Sequence, residues 1–189
     1  MPTPALADFP ELQTARLQLR PVAEADLPAL LTINGDEAVT RFLPYATWTT
    51  LVDGRSWLHR MQALALAGSG RQFVLILNEG GTVVGTLLLF KYEVTAQRAE
   101  VGYVLGRAHQ GQGLMAEALR AVCTEALGPF GLRRLEAEVD PANAASNTLL
   151  LHLGFTHEGT LRQRWSAKGR VYDSHVYGLL AGELRPGPG

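Results

Sequence analysis

The stretch His109-Gln110-Gly111-Gln112-Gly113-Leu114-Met115-Ala116-Glu117-Ala118 decides how this chain is read. It follows an apolar run with strand character, Val101-Gly102-Tyr103-Val104-Leu105, and opens a helical pattern that continues to about Leu127. The first N–H groups of a helix have no intrahelical partner, and the macrodipole adds partial positive charge there. A strand, a glycine-rich turn and a helix N-terminus together predict an anion site, with phosphate or pyrophosphate as the ligand. Gly111 and Gly113 lack Cβ, so the backbone can take positive φ and approach a ligand closely.

Upstream of this turn, Ala15 to Pro21 alternates apolar and polar residues and reads as a strand ended by proline. Ala23 to Asn34 reads as a helix stopped at Gly35, and Asp36 to Thr50 as an irregular segment rich in Phe42, Pro44, Tyr45 and Trp48. A second helix spans Leu51 to Ala67. Strands follow at Gln72 to Leu77 and Thr82 to Phe90, joined by the hairpin signal Asn78-Glu79-Gly80-Gly81, and then at Arg98 to Leu105. Downstream, Leu132 to Val139 reads as a strand. Asn143 caps a helix from Ala144 to Leu153, and strand-like segments lie near Thr156 to Trp165 and Val171 to Leu180. The tail Arg185 to Gly189 is expected to be disordered.

The chain has 189 residues, enough for one domain, with a core expected at about 12–184 and flexible tails. A net charge of −1 and the lack of a basic block argue against a nucleic-acid binder. No apolar run has the length of a membrane span, and Met1 to Glu11 lacks the charged and apolar regions of a secretory signal. The single cysteine, Cys123, cannot form an internal disulfide and reads as a buried small hydrophobe. No Cys/His cluster has zinc spacing, so no metal is expected. These features together suggest a cytoplasmic protein; its oligomeric state, monomer or homodimer, stays open.

Taken alone, the glycine turn has three readings. Gly111-x-Gly113-x-x-Ala116 satisfies the dinucleotide fingerprint G-x-G-x-x-G/A, which would make the protein a nucleotide-dependent oxidoreductase. It also resembles the R/Q-x-x-G-x-G/A pyrophosphate loop of the Gcn5-related N-acetyltransferases (GNAT), with Gln110 first, Gly113 central and Met115 where Gly or Ala is usual. The third reading is a connection with no ligand. The order of elements weighs against the first. Helices and an antiparallel meander precede the turn, and Glu136 and Glu138 lie inside the next strand rather than at its end. Further segments resemble the ribosomal-protein N-terminal (RimJ/RimL-like) branch of the GNAT superfamily. They are Thr14-Ala15-Arg16-Leu17-Gln18-Leu19-Arg20-Pro21, Ala99-Glu100-Val101-Gly102-Tyr103, Asn143-Ala144-Ala145-Ser146, Leu153-Gly154-Phe155 with Glu158-Gly159, and Tyr172-Asp173 with Val176 to Leu180.

That resemblance implies an α+β (mixed α/β) fold, a twisted mixed sheet of about seven strands flanked by about four helices. Acetyl-coenzyme A would bind where two central strands splay apart. Tyr103, Val104 and Leu105 would meet the pantetheine arm, with the backbone of Val104 and Leu105 pairing to it and a backbone N–H there polarising the thioester carbonyl. Gln110, Gly111, Gln112, Gly113, Leu114, Met115 and Ala116 would hold the pyrophosphate, and Asn143 and Ser146 would also touch the cofactor. Met115 is compatible with this if its side chain points away from the phosphates.

Amine acetylation needs a neutral amine and a proton for the departing thiolate. An α-amine, with pKa about 7.7–8.0, needs less help from a base than lysine, with pKa about 10.4. Glu100 is the candidate base, acting through a water; it could equally be an exposed carboxylate paired with Arg98 or a basic neighbour. The helix tyrosine that donates the proton in many superfamily members is replaced here by Leu150. The resemblance gives that role to Ser146, whose alternative is local bonding in the helix's first turn, and Tyr172 is a further candidate. Asp36, Tyr45, Trp48 and Asp173 could hold a cationic amine, or be core and solvated side chains. The expected function is acetyl transfer to a protein or peptide α-amine by direct attack in a ternary complex. A small-molecule amine acetyltransferase and a non-catalytic acyl-coenzyme A binder are the alternatives within the same fold.

Overall fold

The computed structural model describes residues 5–187. Its strands are β1 (Leu12–Gln13), β2 (Leu17–Pro21), β3 (Arg71–Leu77), β4 (Val83–Glu93), β5 (Arg98–Leu105), β6 (Arg134–Val139), β7 (Thr156–Ala167) and β8 (Arg170–Leu180). Its α-helices are α1 (Leu27–Asn34), α2 (Glu37–Thr40), α3 (Leu51–Leu66), α4 (Leu114–Leu127) and α5 (Ala144–Leu153). The elements beyond the expected count are β1, only two residues long, and α2, a single turn; neither is long enough to show a periodic pattern.

The strands form one 8-stranded sheet in the order β1-β2-β3-β4-β5-β6-β8-β7. Only β5 and β6 are parallel, and the crossover that this requires runs through α4. The other pairs are antiparallel. This excludes the dinucleotide-binding fold, whose sheet is mostly parallel, and with it the oxidoreductase reading.

Alternation along the strands divides the residues between two faces. One face carries Phe73, Leu75, Leu87, Leu89, Ala99, Val101, Leu135 and Leu179 against α4 and α5. In α4 the buried stripe is Leu114, Met115, Ala118, Leu119, Val122, Cys123 and Ala126, the spacing of a helix packed along one side. On the other face a smaller cluster of Leu27, Leu30, Ile33, Trp48, Trp57 and Leu58 seats α1 and α3. The core extends outside residues 12–184. Leu6 and Phe9 are fully buried, with the Phe9 ring 5.7 Å from Phe73 and 5.0 Å from Phe130. The tail expected to be disordered is seated as far as Arg185, whose N–H donates to the Leu153 carbonyl at 2.9 Å. Pro188 and Gly189 lie outside the described residues.

The feature that positions the site is the end of the β5–β6 pairing. Arg98, Ala99 and Glu100 pair with Arg134, Leu135 and Glu136. Beyond that point the two strands no longer pair with each other, although they run on to Leu105 and to Val139. The free end of β5 is held instead on β4, where a Cβ at Gly85 would collide with the Val104 carbonyl.

Candidate active site

The glycine turn lies just past the free end of β5. Gly111 and Gly113 have φ of 73° and 75°, and Gly113, in the left-handed region, is the N-cap of α4. The first helical bond runs from the Glu117 N–H to the Gly113 carbonyl. The N–H groups from Gly111 to Ala116 donate to no acceptor among the described residues. These consecutive free donors at the positive end of a 14-residue helix form the cradle that a pyrophosphate requires. Met115 is 6% exposed with its side chain in the core, so only its N–H faces the turn.

The turn is braced from a distant part of the chain. The Arg16 guanidinium pairs with Glu117 at 2.7 Å and donates to the Gln112 carbonyl at 2.9 Å, while the Thr14 hydroxyl donates to Glu117 at 2.6 Å. Burial would raise the Glu117 pKa, but the bonds from Thr14 and Arg16 outweigh it and hold this carboxyl below the ordinary range. Gln110 and Gln112 turn their amides inward, onto the carbonyls of Leu105 and Ala108, both at 2.9 Å.

Backbone alternation settles which groups of β5 face the splay. The Gly106 N–H donates to Val84, and Val104 stands opposite Thr86, so Val104 has both its backbone groups on β4. Tyr103 and Leu105 turn theirs into the gap, with the Leu105 carbonyl taken by Gln110. Of the three residues expected along the pantetheine arm, Tyr103 and Leu105 thus present backbone groups to the gap, and Val104 presents its own to β4. On the α5 side, the Asn143 side chain accepts from the Ser146 N–H at 3.2 Å and caps the helix. The Tyr103 hydroxyl is buried and approaches Ser146 without completing a hydrogen bond; burial pushes its pKa up to about 12.

The opposite face of β5–β8 carries a belt of charge. Lys91, with φ of 51° at a bulge in β4, sends its ammonium to Glu100 at 2.7 Å and to Glu138 at 3.6 Å. Arg164 meets Glu138 at 3.1 Å and the Trp165 indole N–H donates to it at 3.2 Å. Arg98 pairs with Glu136, not Glu100. Glu100 is 8% exposed, and burial raises its pKa against the opposing pull of Lys91. Burial also acts on Glu138, but Arg164, Lys91 and Trp165 together bring it below the ordinary range. Two carboxyls whose surroundings push them apart are suited to different tasks, the higher one to exchanging a proton.

A profile of the acetyltransferase (GNAT) domain matches residues 16–156. The chain belongs to the Gcn5-related N-acetyltransferase family. It is 34% identical over 172 residues to the uncharacterized N-acetyltransferase p20 of Bacillus licheniformis, covering 91% of this chain and 97% of that one. It is 30% identical over 129 residues, 68% of each chain, to the ribosomal-protein-serine acetyltransferase of Escherichia coli (strain K12). A solved structure of the ribosomal L7/L12 alpha-N-protein acetyltransferase RimL in complex with coenzyme A superposes with a TM-score of 0.82 at 24% identity, over 90% of this chain and 98% of that one. The protein is thus an acetyl-coenzyme A-dependent N-acetyltransferase of the RimJ/RimL-like branch.

Within this acetyltransferase, the expected acceptor residues have structural tasks. Asp36 caps α2 by accepting from the Ala38 N–H at 2.9 Å. Tyr45, its pKa raised by burial, donates to Asn34 at 3.0 Å, and Trp48 is buried with its ring 5.5 Å from Trp57. Asp173 accepts from the Gln163 N–H at 2.8 Å and holds a bulge in β7. Tyr172 lies on the same side of the sheet as Glu100 and Glu138, under the Arg170 guanidinium at 4.5 Å. Ser146 is on the other side of the sheet, which separates Tyr172 from the proposed donor. Cys123 is fully buried, and burial pushes its thiol up to about 12, as expected for a packing residue.

Residues the sequence reading missed are Arg16, Lys91, Glu138 and Asn147. The Asn147 amide donates to the carbonyls of Asp140 and Asn143, at 3.1 and 2.7 Å, while its oxygen accepts from Tyr177 at 2.5 Å and meets His175 Nδ1 at 3.0 Å. Because that oxygen can only accept, neutral His175 carries its proton on Nδ1. Nothing in the local sequence marks these partners, which lie on different elements.

Proposed function

We propose that this acetyltransferase modifies the N-terminal α-amine of a protein or peptide, in the cytoplasm, by direct attack within a ternary complex. The carrying observation is the buried Glu100 carboxyl, raised by desolvation and restrained by Lys91, beside the open splay of β5 and β6. Such a base suits an amine of pKa about 8 far better than lysine, which at neutral pH is almost wholly protonated. The relatives named for ribosomal proteins support the same acceptor class.

Acetyl-coenzyme A would lie with its pyrophosphate on the N–H groups of Gly111 to Ala116 and its arm along Tyr103 and Leu105, with Asn143 beside it. The neutral amine nitrogen attacks the thioester carbonyl carbon. Its proton passes to Glu100 through a water, and the C–S bond breaks as the tetrahedral intermediate collapses. Ser146 supplies a proton to the departing thiolate. A buried Cys123 with a raised pKa offers no acyl-enzyme nucleophile.

The test presents acetyl-coenzyme A with a lysine-free peptide, an N-terminally blocked peptide containing lysine, and spermidine, and reads the products by mass spectrometry. Acetylation of the free N-terminus alone is expected. Modification of only the lysine or the polyamine would remove the α-amine reading.

A further inference from the structure

At the mouth of the acceptor face lies a cavity of about 210 Å³ lined by Arg41, Leu43, Ala167, Lys168, Arg170 and Tyr172. Its lining carries three cationic side chains, with the Asp140 carboxylate against Arg170 and Glu37 near Lys168. The β7–β8 connection is a two-residue turn, Lys168-Gly169, with φ of 53° and 70°. A left-handed lysine is costly where Asn or Gly would serve, and this conformation turns the Lys168 ammonium onto the Thr40 carbonyl at 2.5 Å. Burial lowers the Lys168 pKa, and Glu37 only partly opposes it. Arg170 is paired with Asp140 through one terminal nitrogen, leaving the rest of its donor fork free. Arg41 makes no ion pair or hydrogen bond among the described residues and is exposed.

The cavity is placed relative to the reaction centre by Asp140. That residue follows β6 directly, two positions past Glu138, and its carbonyl receives the Asn143 N–H. Glu100 stands opposite Glu136, four positions before Asp140, and an extended chain advances about 3.3 Å per residue, so a peptide with its amine beside Glu100 reaches the rim with its third to fifth residues. The face is therefore bipolar, with carboxylates at the strand centre and cations at the rim.

We propose that Arg41, Lys168 and Arg170 form an anion subsite that receives acidic side chains of a peptide acceptor two to four residues beyond its α-amine. This rests on the α-amine reading and adds the class of sequence preferred. The test uses lysine-free peptides sharing one N-terminal residue, with Glu or Gln at positions three and four, and the enzyme as wild type, Arg41→Glu and Arg41→Lys. The Glu peptide is expected to exceed the Gln peptide about tenfold in kcat/KM at low salt, mainly through KM, with the gap shrinking as salt is added. Arg41→Glu should abolish or invert the preference and Arg41→Lys keep most of it, with acetyl-coenzyme A affinity measured on each variant to report folding. Equal rates for the two peptides, or a preference that survives Arg41→Glu, would overturn the subsite alone. No transfer to either peptide by enzyme that binds acetyl-coenzyme A would overturn the α-amine reading, and the subsite with it.

Discussion

Glu100 and Lys91 show how a single contact sets the ionisation of the proposed base. The Glu100 carboxyl is raised by desolvation, and the Lys91 ammonium at 2.7 Å draws it back toward ionisation. A base acts only when deprotonated, so kcat/KM falls as pH drops through its pKa. A raised pKa moves that acid limb above the usual carboxylate position of about 4.3. Lys91→Met removes the lowering influence, so the limb should move further up. A pH–rate profile that does not shift would separate Glu100 from the rate. Glu100→Gln should lower kcat/KM by about 10²- to 10⁴-fold, the usual contribution of a positioned base. Calorimetric binding of acetyl-coenzyme A to the same variant distinguishes lost chemistry from lost folding.

At the scale of elements, the glycine turn works because other segments hold it. Arg16, from the approach to β2, ties the Gln112 carbonyl to the Glu117 carboxylate at the start of α4. A preorganised loop binds without first paying to be ordered. Arg16→Ala should weaken acetyl-coenzyme A binding about tenfold, equivalent to about 1.4 kcal/mol. An unchanged Kd would show that the turn keeps its shape without the brace. Asn147 does similar work for α5, joining the Asp140–Asn143 turn to Tyr177 and His175 on β8. Asn147→Ala strands the Tyr177 hydroxyl and the His175 N–H and should cost about 1–3 kcal/mol in denaturant unfolding.

At the scale of the whole molecule, the sheet divides labour between its faces. The α4–α5 face holds the glycine turn, Tyr103 and Ser146, and the opposite face holds Glu100, Glu138 and the cationic rim. The splay of β5 and β6 connects them, as the proposed meeting of donor and acceptor requires. The architecture is closed by a segment that precedes the first strand. Phe9 packs between Phe73 and Phe130 under the sheet, fully buried. Phe9→Ala should therefore destabilise by about 3–5 kcal/mol in equilibrium unfolding, the cost of a cavity at a core aromatic. A change below about 0.5 kcal/mol, the scale of an ordinary surface substitution, would mean that this segment docks without supporting the core.

Much of this was legible in the chain itself. The strand Arg98–Leu105, the helix Leu114–Leu127 and the glycines between them follow from local rules: apolar periodicity, helix-end chemistry and the freedom of a residue without Cβ. The family motifs lie on those same segments. Where the pairing of β5 and β6 ends was not legible, nor which backbone groups of β5 face the gap, because register is a property of two strands. The structural contacts of Asp36, Tyr45, Trp48 and Asp173 were not legible for the same reason: a solvated side chain and one that caps a helix, fills a core or holds a bulge look alike in sequence. The partners of Arg16, Lys91 and Asn147 come from other elements, so tertiary structure alone decided their roles. The sequence determined the elements and the glycine turn with its free N–H groups, which arise from neighbours in the chain. The tertiary structure decided the belt of Lys91, Glu100, Glu138 and Arg164, whose charges only folding brings together.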